Sequence, residues 1–187
     1  SGSVVCHFSL YAGFDSVTTD SRTVVSRSLF VPLRGLQQDG HRYIESALQH
    51  GACYIFADEA YLSDEGNRLT LTALCKQYEA SCIGVAHTLT ALQNAAAAYL
   101  EHFPRLLKIG ITGSNGKTTT KELIASIFEQ EYRVIKNEGN LNSETGLPLS
   151  VFHITEEHEV GIFELGMNRP GEIAELAAVL KPDIAVI

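Results

Sequence analysis

The stretch that most constrains this chain covers residues 106–128. An apolar run, Leu106-Leu107-Lys108-Ile109-Gly110-Ile111, passes into Thr112-Gly113-Ser114-Asn115-Gly116-Lys117-Thr118-Thr119-Thr120 and then into a helical pattern. The order predicts a buried strand, a phosphate loop and a helix. A glycine-rich turn aims backbone N–H groups inward, and the positive end of the following helix dipole faces the same point. Leu123, Ile124, Ile127 and Phe128, spaced i, i+1, i+4 and i+5, are expected to share the helix's buried face. The general pattern G-x-x-x-x-G-K-[ST] would put its leading glycine at position 111, which is Ile111 here, with Gly110 one residue early. The preceding strand, Gly113 and the threonine run supply the context that a bare Gly-Lys-Thr match lacks. Gly113, Ser114, Asn115, Gly116, Lys117, Thr118 and Thr119 are therefore candidate nucleotide-phosphate ligands, the other reading being an ordinary glycine-rich β-to-α turn.

At 187 residues with 45% hydrophobic content, the chain can hold one large or two small domains with a real core. It has no apolar run of about 18 residues, so no membrane span is expected. Its N-terminus lacks the basic-then-apolar order of a secretory signal. Cys6, Cys53, Cys75 and Cys82 show no C-x-x-C spacing and no neighbouring histidines, which reads as small buried thiols in a reducing cytosol. A net charge of −8 without a lysine- or arginine-rich run argues against nucleic acid as a partner. An acidic chain that binds a polyphosphate needs local positive charge, which Lys117, the helix N-terminus and a divalent cation can supply.

Along the chain, residues 17–35 read as two short strands joined by a polar turn at Ser26-Arg27-Ser28. Asp20-Ser21-Arg22 leaves the first strand and Arg34-Gly35 ends the second. Ser21 and Arg22 fit either local turn chemistry or a polar pocket for a phosphate or base. Asp39 is a candidate helix N-cap, Tyr43, Ile44, Ala47 and Leu48 a helical face, and Gly51 a helix stop. His41 stands as a ligand-contact candidate near that helix start. Strands are expected at 53–57 and 82–86, with the polar patch 63–68 as a loop between them. The alanine-rich segment 90–103 predicts a helix that Pro104 ends, placing a domain boundary between His102 and Leu106.

Beyond the Lys117 helix, 132–136 reads as a strand and 137–149 as an irregular loop. Its asparagines, Asn140 and Asn142 among them, could present amides to a ligand or simply form a turn. Residues 160–163 read as a buried strand that ends at Glu164, where an open α/β sheet puts its ligands. A carboxylate there can hold magnesium beside nucleotide phosphates. A helix over 171–180 and a strand over 184–187 follow. A chain that ends on a buried-strand pattern reads as an N-terminal fragment of a longer protein.

These pieces together resemble the Mur ligases, the cytoplasmic ATP-dependent amide-bond-forming enzymes of peptidoglycan precursor synthesis. Residues 112–120 look like the family's short phosphate-loop signature. Asp20-Ser21-Arg22, the run 29–35 and Asp39-Gly40-His41 resemble its uridine-nucleotide domain. The run 163–173, F-E-L-G-M-N-R-P-G-E-I, is similar to that of the member acting last. The resemblance implies an α/β chain: a small N-terminal α/β substrate domain, 1–103, then an incomplete P-loop ATPase-type domain with a mostly parallel sheet, 104–187. It implies Lys117 and Glu164 as catalytic residues, ATP and Mg2+ as cofactors, and Thr118 and Glu164 as metal ligands. Ser21, Arg22, Arg34, Gly35, His41, Asn140 and Asn142 become substrate-binding candidates.

The implied partners are UDP-N-acetylmuramoyl-tripeptide and D-alanyl-D-alanine, handled by a cytoplasmic monomer. The chain departs from the family pattern at Ser143, where a second asparagine is usual, and at Thr145. The family's histidine magnesium ligand, modified lysine and C-terminal domain are not in this sequence, so the chain alone is expected not to turn over. A ligase adding the third peptide residue and a non-catalytic ATP-binding regulatory module stay open as alternatives.

Overall fold

The computed structural model describes residues 2–35 and 38–187, which form two compact units, Ser1–Leu92 and Gln93–Ile187. In the first, five strands lie in the order β1-β5-β4-β3-β2. They are β1 (Gly2–His7), β2 (Ser16–Thr18), β3 (Ser28–Phe30), β4 (Ala52–Asp58) and β5 (Ser81–Val85). Only the β1–β5 pair is antiparallel. Asp39 caps a 3-10 turn, Gly40–Tyr43, by accepting from the His41 N–H, and the turn runs into α1 (Ile44–Gln49). Gly51, at φ +104°, ends that helix as expected of a glycine free to go left-handed. The core gathers Phe30, Ile44, Leu48, Ile55, Leu71, Cys75 and Cys82. All four cysteines are buried free thiols.

Two expectations fail in this unit. The strands around 17–35 run parallel, so no tight turn at Ser26-Arg27-Ser28 can join them; the connection instead spans residues 19–27, and β2 ends at Thr18. The 63–68 patch is not a loop. Ser63 follows α2 (Glu59–Leu62), and Asp64 caps α3 (Glu65–Gln77) by accepting from the Asn67 N–H at 2.8 Å. The polar patch is a helix start, with the acidic first turn that favours one.

Helix α4 (Thr88–Leu100) begins in the first unit and carries Ala96 and Leu100 into the core of the second. The second unit alternates β6 (Leu107–Ile111), α5 (Lys117–Phe128), β7 (Val134–Lys136), α6 (Gly146–Val151), β8 (Val160–Glu164), α7 (Glu172–Leu180) and β9 (Ile184–Val186). Its sheet is wholly parallel, in the order β7-β8-β6-β9. From β6 the chain crosses by α5 to one side of the sheet, and from β8 it crosses by α7 to the other. Right-handed crossovers in opposite directions put α5 and α7 on opposite faces. Two separate cores reflect this. Ile109, Ile111, Val160 and Ile162 pack with Ala125 of α5, while Leu106, Phe163 and Leu165 pack with Leu176, Val179 and Leu180 of α7. The crevice between the carboxyl ends of β6 and β8 is thus the switch point where such sheets take ligands.

The inner face of α5 differs from the expected one. Leu123 and Ile127 are 60% and 69% exposed, while Lys121 and Ala125 are buried and Ile124 and Phe128 pack partly into the core. The helix is rotated so that a lysine takes an inward position. Leu123→Ser should therefore change the stability of this chain by no more than about 0.5 kcal/mol. Ile162→Ala, at a fully buried site, should cost about 2–5 kcal/mol. Urea titrations of the two variants would check the contrast, and a costly Leu123→Ser would reverse the assignment of faces. The segment 137–149 is also less irregular than expected, because α6 starts at Gly146.

Candidate functional site

The loop between β6 and α5 is shaped by two glycines at positive φ, Gly113 at +139° and Gly116 at +77°. Gly116 is the left-handed N-cap of α5 and has no side chain to cap the helix. The N–H groups of Lys117, Thr118 and Thr119 therefore have no partner within the helix and face the loop. Thr112 N–H donates to the Val186 carbonyl at 2.9 Å, tying the loop's start to β9. Lys117 Nζ donates to the Gly113 carbonyl at 2.8 Å across the loop. Ser114 and Asn115 lie exposed at its tip.

Glu164 ends β8 directly beside Ile111, its register partner on β6. It is 4% exposed, so the solvated strand-end carboxylate that composition would suggest is not what forms. Thr118 Oγ1 donates to Glu164 Oε2 at 2.7 Å, and Asn142 Nδ2 donates to Oε1 at 2.8 Å. The fold thus brings Gly113 to Thr119, Glu164 and Asn142 together at one end of the sheet. Asn140 shares the Asn142 loop but is exposed. Ser143 Oγ accepts from the Gly146 N–H at 3.2 Å, a local contact at the start of α6.

Sequence reasoning missed Asn137 and Lys121. Asn137 is 1% exposed and was indistinguishable by composition from the loop's other asparagines. Its Oδ1 accepts from the Glu164 N–H at 2.9 Å, while its Nδ2 donates to the Glu164 carbonyl at 3.0 Å and the Leu141 carbonyl at 2.8 Å. Lys121, 2% exposed, donates to the Asn137 carbonyl at 2.7 Å. The only advance signal was a lysine four residues beyond Lys117 on a helix face otherwise apolar.

In the first unit, Thr19, Asp20, Ser21, Arg22, Gln38, Tyr43 and Ser46 line a groove of about 560 Å³. Arg22 Nη2 donates to Asp20 Oδ2 at 2.6 Å, and this guanidinium holds the Asp20 carboxyl down to about 2. Arg22 is largely exposed and Ser21 is buried at the groove wall. Arg34, Gly35 and His41 do not line it. Arg34 Nε lies 3.2 Å from both Asp39 Oδ2 and Asp58 Oδ2. His41 is 3% exposed, its Nδ1 bound to Asp39 Oδ1 at 2.5 Å and its Nε2 accepting from the Asp58 N–H at 3.1 Å. With both ring nitrogens engaged, His41 braces this loop. Burial raises the Asp39 carboxyl, but the His41 N–H, the His41 ring and Arg34 outweigh it and leave it below the ordinary aspartate value.

The arrangement at β6 and β8 suits a polyphosphate: converging N–H groups, one lysine and a carboxylate beside a hydroxyl. Thr118 and Glu164 offer the hard oxygen donors that magnesium takes. Among the described residues no group of three or more His, Cys, Asp or Glu side chains is placed to hold a metal. A cation here would draw its remaining ligands from phosphate oxygens and water, the usual manner for magnesium. No helix among these residues is long and apolar enough to cross a membrane.

Comparison with known proteins agrees with this geometry. Residues 14–123 match the profile described as Mur ligase family, catalytic domain, and residues 111–187 match Mur ligase middle domain. The UDP-N-acetylmuramoyl-tripeptide--D-alanyl-D-alanine ligase of Treponema pallidum is 50% identical over 100% of this chain, which spans 40% of the relative's length. A crystal structure of MurF from Acinetobacter baumannii aligns with TM-score 0.78 at 30% identity, over 91% of this chain and 34% of that one. The MurF ligase from Thermotoga maritima in complex with ADP aligns with TM-score 0.73 at 31% identity, over 90% of this chain and 36% of that one.

Proposed function

Because the chain belongs to the Mur ligase family, we propose that it carries the phosphate site and the uridine-nucleotide groove of a cytoplasmic ATP-dependent ligase. The reaction is the joining of D-alanyl-D-alanine to UDP-N-acetylmuramoyl-tripeptide, in peptidoglycan precursor synthesis. The observation that carries this reading is the 2.7 Å contact between Thr118, at the head of the phosphate-loop helix, and Glu164 on the adjacent strand. Residues 1–103 are assigned to the UDP substrate and 104–187 to ATP. The compact division at Leu92 lies earlier because the second half of α4 packs with the ATP-binding unit.

In this reading the terminal carboxylate of the tripeptide attacks the γ-phosphate of ATP, ADP leaves, and an acyl phosphate forms. The D-alanyl-D-alanine amine then attacks the acyl carbon, the amide forms and inorganic phosphate departs. A carboxylate is already ionised at pH 7, so no activating base is required for the first step. The chain's work is positioning and charge neutralisation, as in phosphoryl transfer generally. The loop N–H groups from Gly113 to Gly116 cradle the β-phosphate, and Lys117 neutralises the β and γ oxygens. Thr118 Oγ1 and Glu164 would hold magnesium, which when bound would supply a Lewis acid for the phosphate oxygens.

Ser21 and Arg22, in the 560 Å³ groove, are assigned to the substrate's uridine diphosphate part. Arg22→Ala in the full-length protein should weaken UDP-N-acetylmuramoyl-tripeptide binding roughly tenfold, or about 1.4 kcal/mol. Calorimetric titration reads this directly, and unchanged affinity would return Arg22 to turn chemistry. Choice of amino donor tests the reaction itself. ADP release from UDP-tripeptide should continue over many turnovers only when D-alanyl-D-alanine is present; continued release instead with a UDP-dipeptide and a single diamino acid would make this the ligase of the preceding step.

A further inference from the structure

We propose that Lys121 and Asn137 are positioning residues that set the Glu164 carboxylate for a divalent cation, an inference that rests on the ligase reading above. Strand β7 pairs with β8 only as far as Lys136 opposite Ile162. Beyond that point the main chain turns away towards Leu141, and the peptide groups of Glu164 would lose their sheet partners on that side. The side-chain amide of Asn137 replaces them. It accepts from the Glu164 N–H and donates to the Glu164 carbonyl, as a paired strand would.

The same amide donates to the Leu141 carbonyl, and the next residue, Asn142, donates to the Glu164 carboxylate. Gly166 N–H closes the strap by donating to the Asn142 carbonyl at 2.7 Å. One loop therefore fixes both the backbone and one carboxylate oxygen of Glu164, while Thr118 of α5 fixes the other.

Lys121 connects that loop to α5. It lies on the helix's inward face, where an apolar side chain would pack at no cost in desolvation. Burying an ammonium is costly unless it is well partnered. Its partners are the Asn137 carbonyl at 2.7 Å and, more distantly, Glu122 Oε1 at 3.4 Å. The bond joins the helix that presents Lys117 and Thr118 to the residue that brackets Glu164. Hydroxyl and carboxylate are thereby held at one separation, which a cation needs if both are to serve as ligands. Neither Lys121 nor Asn137 touches substrate or metal in this scheme.

The test is Mn2+ binding to the full-length protein saturated with ADP, read as loss of the free-ion electron paramagnetic resonance signal. Lys121→Met and Asn137→Ser should each weaken Mn2+ by about 10- to 100-fold, the usual effect of removing an outer-shell support. ADP affinity without metal should stay within about twofold, because the loop N–H groups are untouched. Lys121→Arg, which keeps a donor, should recover most of the metal affinity. A folded variant that loses both affinities together would overturn the proposal, as would a folded Lys121→Met with wild-type Mn2+ affinity. Should Lys121→Met not fold, Asn137→Ser decides by the same criterion. A wild-type protein that takes up no Mn2+ with ADP would remove the metal site itself, and the positioning role with it.

Discussion

Lys117→Ala in the full-length protein should lower ATP-dependent ligation by at least about 100-fold, the scale for removing one electrostatic donor from a transition state. The side chain is the one cation of the phosphate loop itself, and its bond to the Gly113 carbonyl lies at a partly exposed position where water can replace it. Stability should accordingly change little. Steady-state ADP release, read beside a thermal melt, separates the two effects. A variant that melts normally and turns over within about threefold of wild type would remove Lys117 from the mechanism.

Glu164→Gln should produce a loss of similar size, at least about 100-fold, by a different route. The amide fits the same space. With its oxygen towards Asn142 and its NH2 towards Thr118, whose hydroxyl can accept, both existing hydrogen bonds keep partners. What disappears is the negative charge that draws magnesium. The Mg2+ concentration needed for half-maximal rate should therefore rise. Glu164→Ala removes the charge and both hydrogen bonds together, and the freed donors of Thr118, exposed, and Asn142, half-buried, pass to water. Wild-type magnesium dependence in Glu164→Gln would exclude this carboxylate as a metal ligand.

Much of the second unit was legible in the sequence because a parallel sheet covered on both faces writes its strands as apolar runs. The runs at Ile109, Val160 and Ile184 all became strands, and the glycine loop lies where its order predicted. The face of α5 was not legible. Leu123 and Ile127 form as good an apolar stripe as Ile124 and Phe128, and only tertiary packing, with Lys121 accepted inside, chooses between them. Helix α3 was hidden by its polar first turn; Leu71 and Cys75 are its buried pair.

That Lys117, Thr118 and Glu164 would lie near one another was legible, because each has a fixed place relative to a strand end. The part played by Asn137 was not. Its role depends on β7 leaving the sheet one residue earlier, a fact of register that composition does not carry. The setting of His41 was hidden too: a histidine beside a glycine near a helix start gives no sign of the bonds its buried ring makes to Asp39, two residues away, and to Asp58.

The central claim is that this phosphate site activates a carboxylate at the expense of ATP. The most direct measurement follows oxygen. With UDP-N-acetylmuramoyl-tripeptide labelled with 18O in its terminal carboxylate, and with ATP and D-alanyl-D-alanine, one labelled oxygen per turnover should appear in inorganic phosphate. Inorganic phosphate that forms with ADP but carries no 18O would contradict the account, because the carboxylate would then never have been joined to phosphorus.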